Sequence, residues 1–183
     1  MRLILASASP RRAELLRYIT EDFEVIPSGE EETVAEGLPC QQLVAELARI
    51  KACSVLARYP DAVVIGSDTV VAIDGRVLGK PKDREDAFAM LQALSGRTHT
   101  VYTGVCLASK DRLEQFTSAT HVTFFPLEKE EIIRYLDTGE PFDKAGAYGI
   151  QGQGALFCSG IEGDFYTVMG LPVALTAKKL EVF

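Results

Sequence analysis

The stretch Leu3-Ile4-Leu5-Ala6, followed at once by Ser7-Ala8-Ser9-Pro10-Arg11-Arg12, makes this chain end an apolar strand and begin a helix within a few residues. Ser9 suits the N-cap, and Pro10 suits the first helical position, where a missing N–H costs nothing. Leu15, Leu16 and Ile19 then give the helix an apolar side. Such a junction is where α/β proteins hold phosphates, because the unpaired N–H groups of the first turn carry about half a positive charge. Arg11 and Arg12 can add forked hydrogen bonds to phosphate oxygens. An ordinary capped surface helix with solvated arginines fits the same residues, and this segment alone does not choose between the two.

Further along, strand and helix patterns alternate. A helix is predicted from about Gln41 to Arg58, where Leu43, Val44, Leu47, Ala48, Ile50 and Val55 keep a 3.6-residue period. Lys51 falls in register with Val44, Ala48 and Val55, so it either snorkels along the edge of the buried face or points a cation into a site. Ala62 to Ile73 reads as a strand, turned by Asp74-Gly75 into a return strand at Arg76-Val77-Leu78. A helix from Arg84 to Leu94 follows, capped by Asp83, and then strands near His99 to Ala108 and Glu114 to Phe125. Pro126 is expected to begin the next helix and Gly139 to stop it. The run from Asp143 to Gly154 is too rich in glycine for a helix or strand interior, and reads as a loop that approaches a ligand or another backbone closely. A strand near Ala155 to Cys158 and a helix from about Pro172 complete the pattern.

Length and composition narrow the functions open to this chain. Its 183 residues suit a single domain over 1–183, with room for two lobes around a cleft. The net charge, 19 minus 26 or −7, argues against a broad nucleic-acid surface, but not against a local cationic pocket. No apolar run is long enough to span a membrane, and the first residues lack the features of a signal peptide, so the cytoplasm is the expected compartment. Cys40, Cys53, Cys106 and Cys158 are widely spaced and read as reduced structural thiols.

Asp68 stands out as a carboxylate inside an apolar strand, between Ser67 and Thr69. A buried carboxylate needs a cation, a metal or several donors, which marks either a site or a strand-end Asp bonded to local backbone. Gly79-Lys80-Pro81 is not a Walker A motif, since Pro81 stands where Ser or Thr is required. Its lysine sits on a restricted backbone, which suits a fixed phosphate contact as well as it suits a turn with a solvated ammonium. Glu30-Glu31-Glu32 is a solvated acidic run, or a source of oxygen ligands for Mg²⁺ if it borders the same cleft. His99 and His121 lack metal-ligand spacing and are read as structural, with His121 on the less buried side of its strand.

Six motifs, taken together, resemble the Maf family of nucleoside triphosphate pyrophosphatases over nearly the whole chain. They are Ser7 to Arg12, Gly66 to Val71, Gly79 to Pro81, Ser95 to His99, Asp143 to Gly152, and Val168 to Pro172. The resemblance implies a mixed α/β fold, a curved central sheet flanked by helices with two lobes around a nucleotide cleft, related to the inosine triphosphate pyrophosphatases. It implies hydrolysis of the bond between α- and β-phosphates with a divalent metal, Mg²⁺ or alternatively Mn²⁺. By position, Asp68 resembles the proton acceptor and Ser7, Arg12, Lys51 and Lys80 the phosphate-binding set, while Glu32 and Asp68 would hold the metal. The family often has an Asp-Glu pair where Glu31-Glu32 stands. Arg11, Thr69 and Gln151 are similar to the branch acting on dTTP and UTP, with CTP and modified uridine nucleotides as further candidates, a house-cleaning role. Gln151 offers donors and an acceptor suited to a pyrimidine edge. The family is also associated with restraint of septum formation, so a nucleotide-binding regulator acting through protein contacts is the alternative. A homodimer is compatible with the resemblance.

Overall fold

A computed structural model describes residues 2–29 and 37–183. The chain divides into two compact units. One comprises Met1–Thr69, Thr103–Ser118 and Gly170–Phe183, and the other Val70–Tyr102 and Ala119–Met169. Seven strands form one mixed sheet in the order β2-β1-β3-β5-β6-β7, with β4 paired to β3.

In the first unit, β1 (Arg2–Ala6) lies parallel to both β2 (Glu24–Val25) and β3 (Ala62–Ile73). The register pairs Ile4 with Val64 and Ala6 with Gly66. A parallel pair needs a crossover, and α1 (Pro10–Arg17) and α2 (Cys40–Arg58) belong to the chain between these strands. Alternate residues Ile4, Ala6, Ala62, Val64, Cys106 and Ala108 pack with Ala48, Ala52 and Val55 of α2. Leu3, Leu5, Val63, Ile65, Val105 and Leu107, on the opposite face, are buried as well. Burial of both faces explains the uninterrupted apolar runs in β1 and β3.

Two glycines seat α2 on this sheet. A Cβ on Gly66 would overlap the carbonyl of Ala48, and one on Gly104 would overlap the backbone at Val44. The helix backbone therefore rests directly on strands that carry no side chain at those points.

In the second unit, β3 continues and turns at Asp74-Gly75 into β4 (Arg76–Leu78), with Ile73 opposite Arg76. Both turn residues have positive φ, 52° and 71°, the conformation that the Asp-Gly pair favours. The Asp83 carboxylate accepts the Asp86 N–H at 2.8 Å and starts α3 (Arg84–Leu94), which packs on α4 (Lys129–Asp137). β5 (Thr98–Ala108) and β6 (Leu113–Phe124) follow the expected bounds within one residue, and β6 pairs antiparallel with β7 (Cys158–Glu162). His99 is buried and bonded to the Tyr148 hydroxyl at 2.7 Å, and both rings meet Phe124 edge-on. His121 is exposed, as its strand register implies, with Nδ1 3.0 Å from the Thr100 hydroxyl. All four cysteines are free thiols, and burial pushes the Cys106 thiol up to about 12.

Several expectations are corrected. Ser9 occupies the N-cap of α1, but its side chain makes no cap bond; its N–H instead donates to Ser7 Oγ at 3.2 Å. α4 begins at Lys129 rather than Pro126, because Glu128 is extended (φ −78°, ψ 152°) and serves as the N-cap, while the segment before it is tied elsewhere, the Phe125 N–H to the Phe157 carbonyl and the Leu127 N–H to Ser95 Oγ. Glu131 accepts the Glu128 N–H at 2.8 Å, closing one arm of a capping box at the true start. Ala155 to Phe157 form part of a 3₁₀ turn, so the last strand starts only at Cys158. A 3₁₀ turn at Glu140–Asp143 leads into the glycine-rich run, which contains another at Ala145–Ala147. A short helix α5 (Phe165–Met169) was not expected, whereas α6 (Val173–Glu181) starts after Pro172 as read.

Candidate functional site

Because β1 ends at Ala6, opposite Gly66, the polar stretch Ser67-Asp68-Thr69 of β3 runs on past the carboxyl end of its neighbour. That level of an α/β sheet is where ligands are held, beside the helix that follows the first strand. Side chains alternate along β3, so Asp68 shares a face with Gly66 and α2, while Ser67 and Thr69 share the other.

On the α2 face, Lys51 and Asp68 form a hydrogen-bonded ion pair, their side chains 12% and 13% exposed. Lys51 thus points its cation at the carboxylate rather than snorkelling away, and the expected backbone-bonded alternative for Asp68 gives way to a charged partner. The pairing compensates the burial of each charge.

On the other face, Arg12 is the hub. Its Nε donates to the Gly170 carbonyl at 2.9 Å, its Nη2 to Thr69 Oγ1 at 3.1 Å and its Nη1 to Ser7 Oγ at 3.4 Å. The Gly170 carbonyl also accepts from Ser67 Oγ at 2.9 Å, and that hydroxyl lies 3.1 Å from the Gly104 carbonyl. Thr69 and Thr103 hydroxyls are 2.8 Å apart. Gly170 has φ of +111°, and a Cβ there would fall 3.2 Å from Arg12 Nε, so the position excludes larger residues on two grounds. A guanidinium held by three partners is an oriented donor fork for an anionic ligand.

Ser7, Arg12, Lys51, Asp68 and Thr69 therefore gather at one end of the first unit's sheet, with half-buried Arg11 beside Arg12 on α1. Lys80 and Gln151 belong to the second unit, and both are exposed. The turn bearing Lys80 is tied to the glycine-rich run, since the Gly146 N–H donates to the Gly79 carbonyl at 3.0 Å. Glu32 lies outside the described residues, as do Glu30 and Glu31. Among the described residues, no three His, Cys, Asp or Glu side chains cluster in a way that could hold a metal. Ser67, Thr103 and Gly170 were not singled out from the sequence: Ser67 and Gly170 lie inside the motifs, but Thr103 has no local signal.

Comparison with known proteins bears on the family and the fold. A family model described as Maf-like protein matches residues 2–183. A protein of Bacillus velezensis named dTTP/UTP pyrophosphatase is 54% identical over 182 residues, spanning 100% of this chain and 96% of the relative. One of the same name from Carboxydothermus hydrogenoformans is 52% identical, covering 98% and 97%. Among solved structures, the Ham1 protein of Staphylococcus aureus aligns with a TM-score of 0.57 at 15% identity, over 100% of this chain and 99% of that one. A HAM1 protein from Coxiella burnetii gives 0.54 at 14% identity with full coverage of both. These two likenesses concern the fold, and they agree with the expected mixed α/β architecture. Among the described residues, no helix is long and apolar enough to cross a membrane.

Proposed function

The chain belongs to the Maf family, and from that premise we propose that it hydrolyses dTTP and UTP to the nucleoside monophosphate and pyrophosphate. The relatives' names support the reaction, and the Lys51–Asp68 pair beside the Arg12 hub is the observation that carries it to particular residues.

A triphosphate laid across the carboxyl end of β1 would meet cations on both faces of β3. Arg12, already oriented by Gly170 and Thr69, takes phosphate oxygens in forked fashion, helped by Ser7 Oγ and the first-turn N–H groups of α1. Lys51 exchanges part of its bond with Asp68 for a phosphate oxygen, and Lys80, on the strength of its Gly79-Lys80-Pro81 motif, is a further phosphate-binding residue of this proposal. The carboxylate released from Lys51 can then orient a water molecule and take its proton. The water oxygen bonds to the α-phosphorus as the bond to the bridging oxygen breaks, and pyrophosphate leaves with that electron pair. Positioning and charge neutralisation account for most of the acceleration in such a step.

Asp68 offers a hard oxygen donor of the type Mg²⁺ uses, and that ion commonly takes only one or two carboxylates beside substrate phosphates and water. Asp68 and Glu32 are the residues that would hold it, with Mn²⁺ as the alternative ion. When bound, it neutralises charge building on the departing pyrophosphate. Base preference falls to Arg11, Thr69 and Gln151, the last presenting both donors and an acceptor to a pyrimidine. The same reading sets the reaction in the cytoplasm.

The test is to supply the purified protein with Mg²⁺ and each of dTTP, UTP, CTP, dATP and GTP, measuring pyrophosphate and monophosphate. Equimolar release of both, fastest with dTTP and UTP, is expected. Release of inorganic phosphate and nucleoside diphosphate instead would refute the reading.

A further inference from the structure

Three glycines of the run that carries Gln151 make room for side chains of their own unit. A Cβ on Gly152 would overlap the Glu140 carboxyl, one on Gly154 would come within 2.9 Å of the Tyr135 hydroxyl, and one on Gly149 within 2.7 Å of the Lys144 stem. The sequence suggested close approach to a ligand or another backbone. Here the glycines let a half-buried carboxyl and a buried phenol reach under the segment.

Those side chains then hold the backbone. The Gln153 N–H donates to Glu140 Oε2 at 2.9 Å and the Gly154 N–H to Oε1 at 3.4 Å. The Tyr135 hydroxyl donates to Oε1 at 2.8 Å and accepts the Gly149 N–H at 3.1 Å. Lys144 secures Glu140 from behind, its ammonium donating to the Glu140 carbonyl at 2.6 Å. Gln151 itself is exposed, two residues beyond one anchored position and two before the next.

We propose that Glu140, working with Tyr135, is a positioning residue for nucleobase selection: its carboxylate fixes the 149–154 backbone that presents Gln151 to the base. The inference rests on the base-reading role given to Gln151 above. Two backbone N–H groups and a phenol converge on one side chain, which demands several acceptor sites and no donor. An ionised carboxylate meets that demand, while an amide of the same shape turns an NH₂ group toward another donor. Burial disfavours the charged form of Glu140, but the Gln153 N–H, the Tyr135 hydroxyl, the Gly154 N–H and Lys144 outweigh it and hold the carboxyl below its ordinary range. A glutamine that reads a base from a loop must be held to a fraction of an ångström, and ordering the loop beforehand removes that cost from binding.

The test compares wild type, E140Q, Q151A and the double variant in steady-state hydrolysis of dTTP, UTP and dCTP, with amide hydrogen exchange across 149–154. E140Q is expected to raise KM for dTTP and UTP by about tenfold while kcat stays within about threefold, the pattern of lost binding rather than lost chemistry. The preference for dTTP over dCTP should fall by a similar factor. Exchange at Gln151 to Gly154 should quicken, and E140Q should add little to the selectivity loss in the Q151A background. A uniform fall in kcat for all three nucleotides with unchanged preference, or unchanged exchange, would overturn the proposal. Altered selectivity in Q151A but not in E140Q refutes Glu140 alone, whereas unaltered selectivity in Q151A removes the reading beneath it. Should E140Q not fold, Y135F carries the same test, since it removes the hydroxyl joining Glu140 to Gly149 and leaves the ring.

Discussion

Lys51 on α2 and Asp68 on β3 pair across 17 positions of sequence, each carrying the countercharge that lets the other leave water. If Asp68 takes the water proton as proposed, D68N removes that acceptor while keeping the shape, and turnover of dTTP should fall by about 10²–10⁴-fold. K51M leaves the carboxylate without this partner and should cost about 1–3 kcal/mol of stability besides activity. In K51M/D68N the loss of stability should be less than the sum of the single losses, as measured by denaturant titration.

Gly170 supplies the carbonyl shared by Arg12 and Ser67, from a backbone conformation that an L side chain rarely adopts. G170A should cost about 1–3 kcal/mol through strain alone. It should also raise KM for dTTP more than it lowers kcat, because the added methyl group meets the Arg12 guanidinium. Equal effects on both parameters would show that Arg12 is not displaced.

Burial lowers the His99 imidazole from 6.5 to about 4, and its Nδ1 has no partner among the described residues. The unfolded chain therefore takes up the proton first as pH falls. Stability should be complete above pH 6.5 and decline toward pH 4, by about 1.4 kcal/mol per pH unit once below 6.5. Urea titrations at pH 7.5 and 5.5 check this, and H99F should flatten that contribution even though it leaves the Tyr148 hydroxyl without its partner.

Asp83 caps α3 through the Asp86 N–H. D83A should lower stability by about 1 kcal/mol with dTTP kinetics unchanged, read from thermal melting and initial rates.

Local rules made much of this fold legible. The β3–β4 hairpin and α3 fall on the expected residues because Asp74-Gly75 and Asp83 act on their own neighbours. Where tertiary bonds outbid local preference, the reading slipped. Pro126 looks like a helix start, yet flanking N–H groups are taken by Phe157 and Ser95. The two faces of β3 follow from alternation once its span is known, so the separate surroundings of Asp68 and Thr69 were within reach. The Arg12 network was not: Gly170 lies 158 positions away from Arg12, and no spacing rule joins them. The glycines at 149, 152 and 154 announced close approach, but not that Glu140, Tyr135 and Lys144 would be what approaches.

Gly66 and Gly104 together act as a depth stop for α2. Lys51 stands less than one turn beyond Ala48, the residue resting on Gly66, so the reach of its ammonium to Asp68 is set by how low the helix lies. A methyl group at either glycine would shim the helix outward and lift the cation off its carboxylate. On the roles proposed for Lys51 and Asp68, tolerance for change at these two sites is governed by alignment of the pair as much as by packing: a variant that still folds should turn over dTTP more slowly.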